Sequence, residues 1–351
     1  MRVRLSKSDR SFSVAPGEPV LEAALRAGLN LPHSCKGGTC GACRARLVEG
    51  AVAYPNGRPL GLSPAEEADG LVLLCQARAE GDLLIETFEA VSADEIHIKR
   101  MPCRVERAAR LSHDVMALYL KLPAVERFDF KPGQYVDLML PKGRRRSFSI
   151  ASPPHDSRTL ELHVRRAPGG EFTERVFAAA GIERALLTLE GPLGHFYYRD
   201  APVADRAPML LIGGGTGLAP LMSIVRHVVE NGLEREMTLY WGVRTRQDLY
   251  AHTALEELAA RRAARVRYVP VLSEPSPGWA GLRGYVHEAV LDCAEPLGLK
   301  DIYASGPPAM IEAVRREFPP RGADPARLYF DSFDYAPDSP ARQPTTADTK
   351  S

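Results

Sequence analysis

Four cysteines are spaced as metal ligands. Residues 35–43 read Cys-Lys-Gly-Gly-Thr-Cys-Gly-Ala-Cys, a C-x4-C-x2-C run holding Cys35, Cys40 and Cys43, and Cys75 follows on a Leu-Leu-Cys segment. Three close-set thiolates plus a distant fourth can converge on the two irons of a [2Fe–2S] cluster. The interleaved glycines let such a loop curl and aim backbone N–H groups at sulfur, which tunes the potential. A structural zinc site or a run of buried free cysteines is the competing reading. Zinc, however, usually presents two C-x2–4-C pairs, and only one half of this pattern resembles that. Cys103 and Cys293 stand alone and read as small buried hydrophobes.

Two further segments could hold phosphates. Leu210-Leu211-Ile212-Gly213-Gly214-Gly215-Thr216-Gly217-Leu218-Ala219-Pro220 runs from an apolar strand straight into a helix. Its glycines allow a tight turn and backbone approach to a pyrophosphate over the helix N-terminus. Tyr303-Ala304-Ser305-Gly306-Pro307-Pro308-Ala309-Met310 repeats that strand–glycine–helix logic. Upstream lie two basic strand-like runs, Arg144-Arg145-Arg146-Ser147-Phe148-Ser149 and His163-Val164-Arg165-Arg166. Pro168-Gly169-Gly170-Glu171-Phe172-Thr173 then opens a helix whose free N–H groups suit an anion.

Composition limits what these motifs can serve. The 351 residues are 45% hydrophobic and 25% charged with a formal net charge of +1, so nothing argues for nucleic acid or an acidic membrane surface as a general partner. No apolar run approaches the roughly 20 residues of a membrane span, and the N-terminus lacks an apolar h-region. A cytoplasmic chain is expected, in which six cysteines are reduced thiols rather than a disulfide framework.

Three blocks must position the motifs. Residues 1–92 carry strands at Arg2–Ser6, Ser11–Ala15, Arg44–Val48 and Asp82–Phe88 and a helix from Pro19 to Ala27. Ser92–Arg100 reads as a linker. Residues 101–200 carry β-like runs at Val115–Leu122, Tyr135–Leu140, Ser147–Ala151, Thr159–Arg165 and Leu186–Gly191, which suggest a small antiparallel barrel. Residues 206–335 alternate strands (Pro208–Ile212, Met237–Trp241, Val266–Val271, Asp301–Ala304) with helices, Leu218–Glu230 the clearest, and imply a parallel sheet. The tail, 336–351, is rich in Pro, Asp, Thr and Ser and reads as disordered. His113, His195 and His252 show no partner pattern, and Arg261–Arg265 reads as the solvated end of a helix.

The motif set resembles the ferredoxin–NADP reductase superfamily, in the order ferredoxin, flavin barrel, nicotinamide domain. That order is similar to the reductase components of aromatic-ring dioxygenases and of phenol or methane monooxygenases, and to CDP-6-deoxy-Δ3,4-glucoseen reductases. The resemblance implies a multidomain α+β and α/β chain: a β-grasp plant-type ferredoxin, an antiparallel FAD-binding β-barrel, and a parallel-sheet NAD(P)-binding domain. It implies that Arg146 binds flavin phosphate, Phe148 packs on the isoalloxazine and Ser149 hydrogen-bonds flavin N5. Ser147, His163, Val164 and Arg165 belong to the same flavin strands, and Gly169, Gly170, Glu171, Phe172 and Thr173 to the phosphate turn. Phe148 stands where Tyr is commoner. Gly214, Gly215, Thr216, Gly217 and Pro220 match G-G-x-G-x-x-P, with Gly213 just before them. Ser305, with Gly306, Pro307 and Met310, replaces the Cys of a C-G-P turn beside the nicotinamide. Phe333, in Tyr329–Phe333, would cover the flavin.

The resemblance also places coenzyme choice at Ser273 and Glu274, where a carboxylate would repel a 2′-phosphate and favour NADH; Arg244 and Arg246 in the loop after Met237–Trp241 pull toward NADPH. FAD is favoured over FMN by the phosphate turn with Arg146. A nicotinamide yields two electrons as hydride and a [2Fe–2S] cluster takes one, so a flavin must stand between them. The expected activity is electron transfer from NAD(P)H through FAD and the cluster to a one-electron acceptor, an oxygenase, monooxygenase or dehydrase component. A stand-alone flavin reductase and a non-enzymatic iron–sulfur redox sensor are the alternatives. Residues 1–95 carry ten Lys/Arg and thirteen Asp/Glu, a mild acidity that suits a basic docking face.

Overall fold

The structure, a computed structural model, describes residues 1–333 apart from 9, 88–97, 125–126, 157, 179–180, 201–205, 263 and 294. Most of the expected linker and all of the tail from 334 lie outside the described residues.

The N-terminal block is a five-stranded mixed sheet in the order Ser11–Ser13, Arg2–Leu5, Leu83–Glu86, Arg44–Glu49, Leu71–Leu73. Arg2–Leu5 runs antiparallel to its hairpin partner and parallel to Leu83–Glu86, and the helix Val20–Arg26 buries Val20, Leu21, Ala23 and Ala24 in the same core. This is the expected β-grasp arrangement. The 2-residue periodicity is plain in Arg2–Leu5, whose burial alternates exposed and buried.

The middle block is a six-stranded antiparallel sheet ordered Arg145–Ser149, Tyr135–Met139, Leu186–Leu193, Lys99–Arg110, Val115–Lys121, Thr159–Arg165. An isolated bridge between Ile150 and Leu162 joins its first and last strands, which closes the barrel. The strand Lys99–Arg110 overrides the linker reading at Lys99 and Arg100. Six of its residues are Lys, Arg or Glu, yet they alternate with buried Met101, Cys103 and Val105. Cys103 is thereby a core residue, its thiol pushed up to about 12 by burial.

The C-terminal block is an all-parallel sheet ordered Leu282–Arg283, Val266–Leu272, Met237–Val243, Met209–Gly214, Asp301–Gly306, Leu328–Ser332. Alternate residues of its central strand face different cores: Leu211 packs with Leu221 and Leu239, Leu210 and Ile212 with Ile302 and Ile311. Helices therefore cover both faces, as parallel sheets require. The helix His252–Arg261 ends in the basic run expected to be solvated. Parallel pairing also directs every strand's C-terminal end, and the turn that follows it, to one edge of the sheet.

Candidate functional site

The three blocks meet around one cleft of about 1910 Å³. Cys35 and Cys75 line it from the first block, Phe148 and Ser149 from the barrel, and Gly215 and Thr216 from the parallel sheet.

The cysteine wall is built by a loop without regular structure between Leu31 and Cys43. Cys40, Cys43 and Cys75 are buried and Cys35 is half-buried, all as free thiols. They converge in two hydrogen-bonded pairs, Cys35 with Cys40 and Cys43 with Cys75, and the charge of each pair is felt by the other. The Cys40 thiol contact, with backbone N–H groups of Cys40, Thr39 and Gly37, brings the Cys35 thiol down to about 6 against the effect of burial. The Cys40 N–H lies 3.4 Å from the Cys35 sulfur, and that of Ala42 lies 3.5 Å from Cys40 Sγ. Four convergent thiols circled by N–H donors are the donor set of a [2Fe–2S] cluster, so the residues fit the group. Gly61 supports the loop from behind. A Cβ there would lie 2.7 Å from the Gly38 carbonyl oxygen and 2.8 Å from that of Thr39, so only glycine lets the two segments touch.

On the barrel wall, antiparallel register sets Ser147 opposite Asp137 and Phe148 opposite Val136. Ser147 Oγ donates to Asp137 Oδ1 at 2.5 Å. The Phe148 and Phe172 rings lie 5.6 Å apart, so strand and phosphate turn share an aromatic contact. His163 is buried, bonded to Glu161 and to the Tyr250 hydroxyl of the third block, both at 3.0 Å. Glu161 also accepts from Arg226 at 2.6 Å. Its carboxyl stays down at about 2: burial opposes ionisation, but His163 and Arg226 outweigh it. Gly170 precedes the helix Glu171–Phe177. Thr173 spends its hydroxyl on the turn itself, donating to the Ala167 and Gly170 carbonyls and accepting the Ala167 N–H, each at 3.1 Å. The backbone N–H groups of the first helical turn remain to meet an anion. An elongated cleft with a basic strand, an aromatic face and this turn fits a flavin with its phosphates.

The third wall is the glycine turn after Met209–Gly214. The Trp241 indole N–H donates to the Gly215 carbonyl at 2.9 Å and pins the turn. Gly214 meets the second glycine turn: a Cβ on it would touch Met310 Sδ and Pro307 Cδ, each at 2.8 Å. Phe333 lines the cleft, with its N–H on the Gly306 carbonyl at 2.9 Å.

The chain matches three family models in sequence: a 2Fe-2S iron-sulfur cluster binding domain over residues 3–80, an oxidoreductase FAD-binding domain over 102–198 and an oxidoreductase NAD-binding domain over 211–316. It is 38% identical over 339 residues to the reductase subunit of an Amycolatopsis aromatic O-demethylase, covering 95% of this chain and 99% of that protein. It is 33% identical over 333 residues to a CDP-6-deoxy-L-threo-D-glycero-4-hexulose-3-dehydrase reductase of Yersinia pestis, covering 95% and 98%. The chain belongs to the ferredoxin-first family of three-domain reductases. The crystal structure of an Amycolatopsis cytochrome P450 reductase superposes with a TM-score of 0.76 at 34% identity, covering 95% of this chain and 98% of that one. The reductase is an NAD(P)H-dependent electron-transfer enzyme that uses FAD and a [2Fe–2S] cluster. Among its described residues no helix is long and apolar enough to cross a membrane.

The cleft of the reductase collects most of the expected residues: Arg146, Ser147, Phe148, Ser149, His163, Arg165, Gly169, Gly170, Phe172, Thr173, Gly214, Gly215, Thr216, Arg244, Ser273, Pro307, Met310 and Phe333. Others stand back from it. Val164 is barrel core, and Gly213 and Pro220 are packed behind the turn. Glu171 points to solvent and pairs with Arg144 at 2.6 Å. Glu274 is exposed, and only its N–H is engaged, on the Arg244 carbonyl at 2.8 Å. Ser305 also stands back from the cleft lining. It is wholly buried in register with Gly213, and its hydroxyl has no partner. Its backbone, with that of Gly306, forms the bed on which Gly217 rests.

Asp331 was not singled out by the sequence, and it joins all three blocks. It sits on Leu328–Ser332, accepts from Ser34 Oγ of the cysteine loop, and accepts from Ser149 Oγ at 3.4 Å. The only sequence signal was an acidic residue inside an otherwise aromatic run, which a surface strand would equally show. Burial pushes its carboxyl up to about 7, against the hydrogen bonds of Ser34 and Ser149. An acid raised from 3.8 holds its proton in the fold while the unfolded chain ionises, so its contribution is whole below pH 3.8 and is lost as pH rises through 7. Asp331→Asn is expected to remove this slope, worth roughly 1.4 kcal/mol per pH unit. Thermal melts of wild type and variant from about pH 4 to about pH 8 check it, and parallel profiles would refute it.

Proposed function

We propose that the chain works as three units, 1–92, 101–200 and 206–335, passing electrons from NADH to an oxygenase or dehydrase component. The observation that carries this reading is the single cleft shared by Cys35, Ser149 and Gly215, with Asp331 bonded to both Ser34 and Ser149. When bound, the nicotinamide supplies hydride, the flavin converts two-electron to one-electron transfer, and the cluster carries single electrons. The chain's residues hold these groups in place. Ser149 presents its hydroxyl at the inner end of the flavin strand, oriented by Asp331, and Phe148 offers an aromatic face beside it. Arg146 and the first turn of Glu171–Phe177 complement phosphate charge. Gly214–Thr216 lets the second dinucleotide lie close to backbone, and Phe333 adds an aromatic side chain to the same cleft. Excluding water there strengthens each of these electrostatic contacts. Cys35, Cys40, Cys43 and Cys75 ligate the cluster.

The partner class rests on similar proteins named as reductases of an aromatic O-demethylase and a hexulose dehydrase, each aligned over nearly its whole length. NADH is favoured because the Glu274 N–H is bonded to the carbonyl of Arg244, which sets the exposed Glu274 carboxylate beside an arginine that lines the cleft. A 2′-phosphate attracted by the first would also meet the second. A reducing cytoplasm suits four ligand thiols that must stay unpaired.

The test is an anaerobic titration followed by visible absorption. NADH should bleach flavin and iron–sulfur bands together, NADPH should do so at higher concentration, and Glu274→Gln should narrow that gap by about fivefold. Flavin bleaching with an unchanged cluster would overturn the serial reading.

A further inference from the structure

The first block touches the other two at several points. Ser34 donates to Asp331, the His195 N–H donates to the His33 carbonyl at 2.7 Å and the His33 N–H to the His195 ring Nδ1 at 3.1 Å, and Arg315 reaches Glu66 at 3.2 Å. One contact belongs to the cysteine loop and to the flavin strand's own neighbour at once. Lys36, the residue after Cys35, donates from Nζ to Asp137 Oδ2 at 2.9 Å. Its carbonyl accepts from Gln76 Nε2, also at 2.9 Å, and Gln76 follows Cys75. The backbone of Lys36 is thus tied to the loop of one cysteine and the segment of another, while its side chain crosses to the barrel. There Asp137 is 1% exposed in its side chain and also accepts from Ser147, two residues before Ser149.

The two ends of this bridge show that it is built. Lys36 has φ of 53°, the left-handed region that a lysine enters at a cost and a glycine enters freely. Residues 37 and 38 are glycine, so the loop had a cheaper choice at hand. What lysine adds is reach and charge. At the other end a buried carboxylate needs a close cation; Arg145 lies 3.8 Å away and is engaged with Glu190, so Lys36 is the nearer partner. Strain accepted on one side and a buried charge held on the other both depend on the pair staying closed.

We propose that Lys36 is a positioning residue that locks the cysteine loop against the flavin strand through Asp137, and so sets the rate of the transfer between the two centres. This rests on the reading of Cys35, Cys40, Cys43 and Cys75 as cluster ligands and of Ser147–Ser149 as the flavin strand.

The experiment uses the holoenzyme with Lys36→Met, which keeps bulk and removes charge, and Lys36→Gly, which relieves the strained φ. Lys36→Arg serves as the conservative rescue. Hydrogen exchange is measured on residues 33–37 and 145–149, and stopped-flow absorption follows flavin and cluster bleaching after mixing with NADH. With iron and flavin contents equal to wild type, both neutral variants should exchange faster in both segments. The cluster phase should slow by about tenfold, since small misplacements of reacting centres cost that much, while the flavin phase stays within about twofold. Lys36→Arg should restore most of the loss. A cluster phase that is faster or unchanged in Lys36→Gly would mean that lysine only burdens the loop, and would overturn the proposal. Unchanged exchange and cluster phase in Lys36→Met would do the same. A wild type whose cluster never bleaches would instead refute the serial reading itself, so the two failures are distinguishable.

Discussion

Replacing Cys40 by serine is expected to lower reduction of a one-electron protein acceptor such as cytochrome c by more than about 100-fold, because iron–sulfur clusters are held by thiolates. Cys40 is 3% exposed and sits at the centre of the loop. Its thiol contacts that of Cys35, its N–H faces the Cys35 sulfur, and its own sulfur receives the Ala42 N–H. A serine hydroxyl keeps its proton at neutral pH and is a harder ligand, so one of four thiolates is lost where no neighbour can replace it. Cys103 and Cys293 cannot substitute, since Cys103 is barrel core and Cys293 follows the helix Val286–Asp292 in the third block. The flavin strand and the glycine turn belong to other folding units with their own cores. Ferricyanide reduction by NADH, which needs only the flavin, should therefore fall by less than about threefold. Iron content and the two activities, measured on folded, flavin-loaded protein, check this. Equal loss of both activities would count against separate centres in series.

Motifs whose function lies in backbone or in ligand chemistry were legible in the sequence. The C-x4-C-x2-C run with its distant Cys75 needs no tertiary context to be read, because few other arrangements of four thiols leave that spacing. The glycine turn at Gly213–Gly217 was legible for a related reason: side-chain absence is visible in a sequence, and the helix Leu218–Glu230 that follows it has the bounds expected. The strand Lys99–Arg110 was hidden because half of its positions are charged, and its alternation is seen only when Met101, Cys103 and Val105 are known to face inward. Contacts between blocks were wholly illegible. Nothing near Lys36 in sequence points to Asp137, 101 residues away, nor anything near Asp331 to Ser34, 297 residues away. Such pairs are specified by the docking of finished domains rather than by local pattern. His163 shows both cases at once: its place on a basic strand was readable, its bond to Tyr250 in another domain was not.

The second large effect falls on Gly217, and it separates two reasons for glycine in the Gly213–Gly217 run. Gly217 has φ −59° and ψ −11°, which any residue adopts, so its identity is not required by its conformation. It is required by contact. A Cβ at this position would lie 2.0 Å from the Ser305 carbonyl oxygen, 2.5 Å from the Ser305 carbonyl carbon and 2.8 Å from Gly306 Cα. All three are backbone atoms of Asp301–Gly306, a strand fixed on both sides by Met209–Gly214 and Leu328–Ser332, so nothing there can rotate away. Gly217→Ala must therefore drive the start of the helix Leu218–Glu230 off the sheet. We expect a loss of about 3 kcal/mol, at the upper end of overpacking costs. The displacement also moves Gly215 and Thr216 and weakens nucleotide binding by more than about tenfold. Gly213→Ala is the internal comparison. Its Cβ would crowd the Leu221 and Trp241 side chains, at 3.2 and 3.4 Å, which can yield a few tenths of an ångström, while the nearest backbone atom, Leu218 Cα, lies at an ordinary 3.6 Å. That variant should cost about 1 kcal/mol and leave the turn in place. Thermal melts and the Kd for NAD+ on both proteins measure the contrast. If Gly217→Ala matched Gly213→Ala in both, the helix would not be seated on the strand as described, and the glycines of this turn would serve the ligand alone.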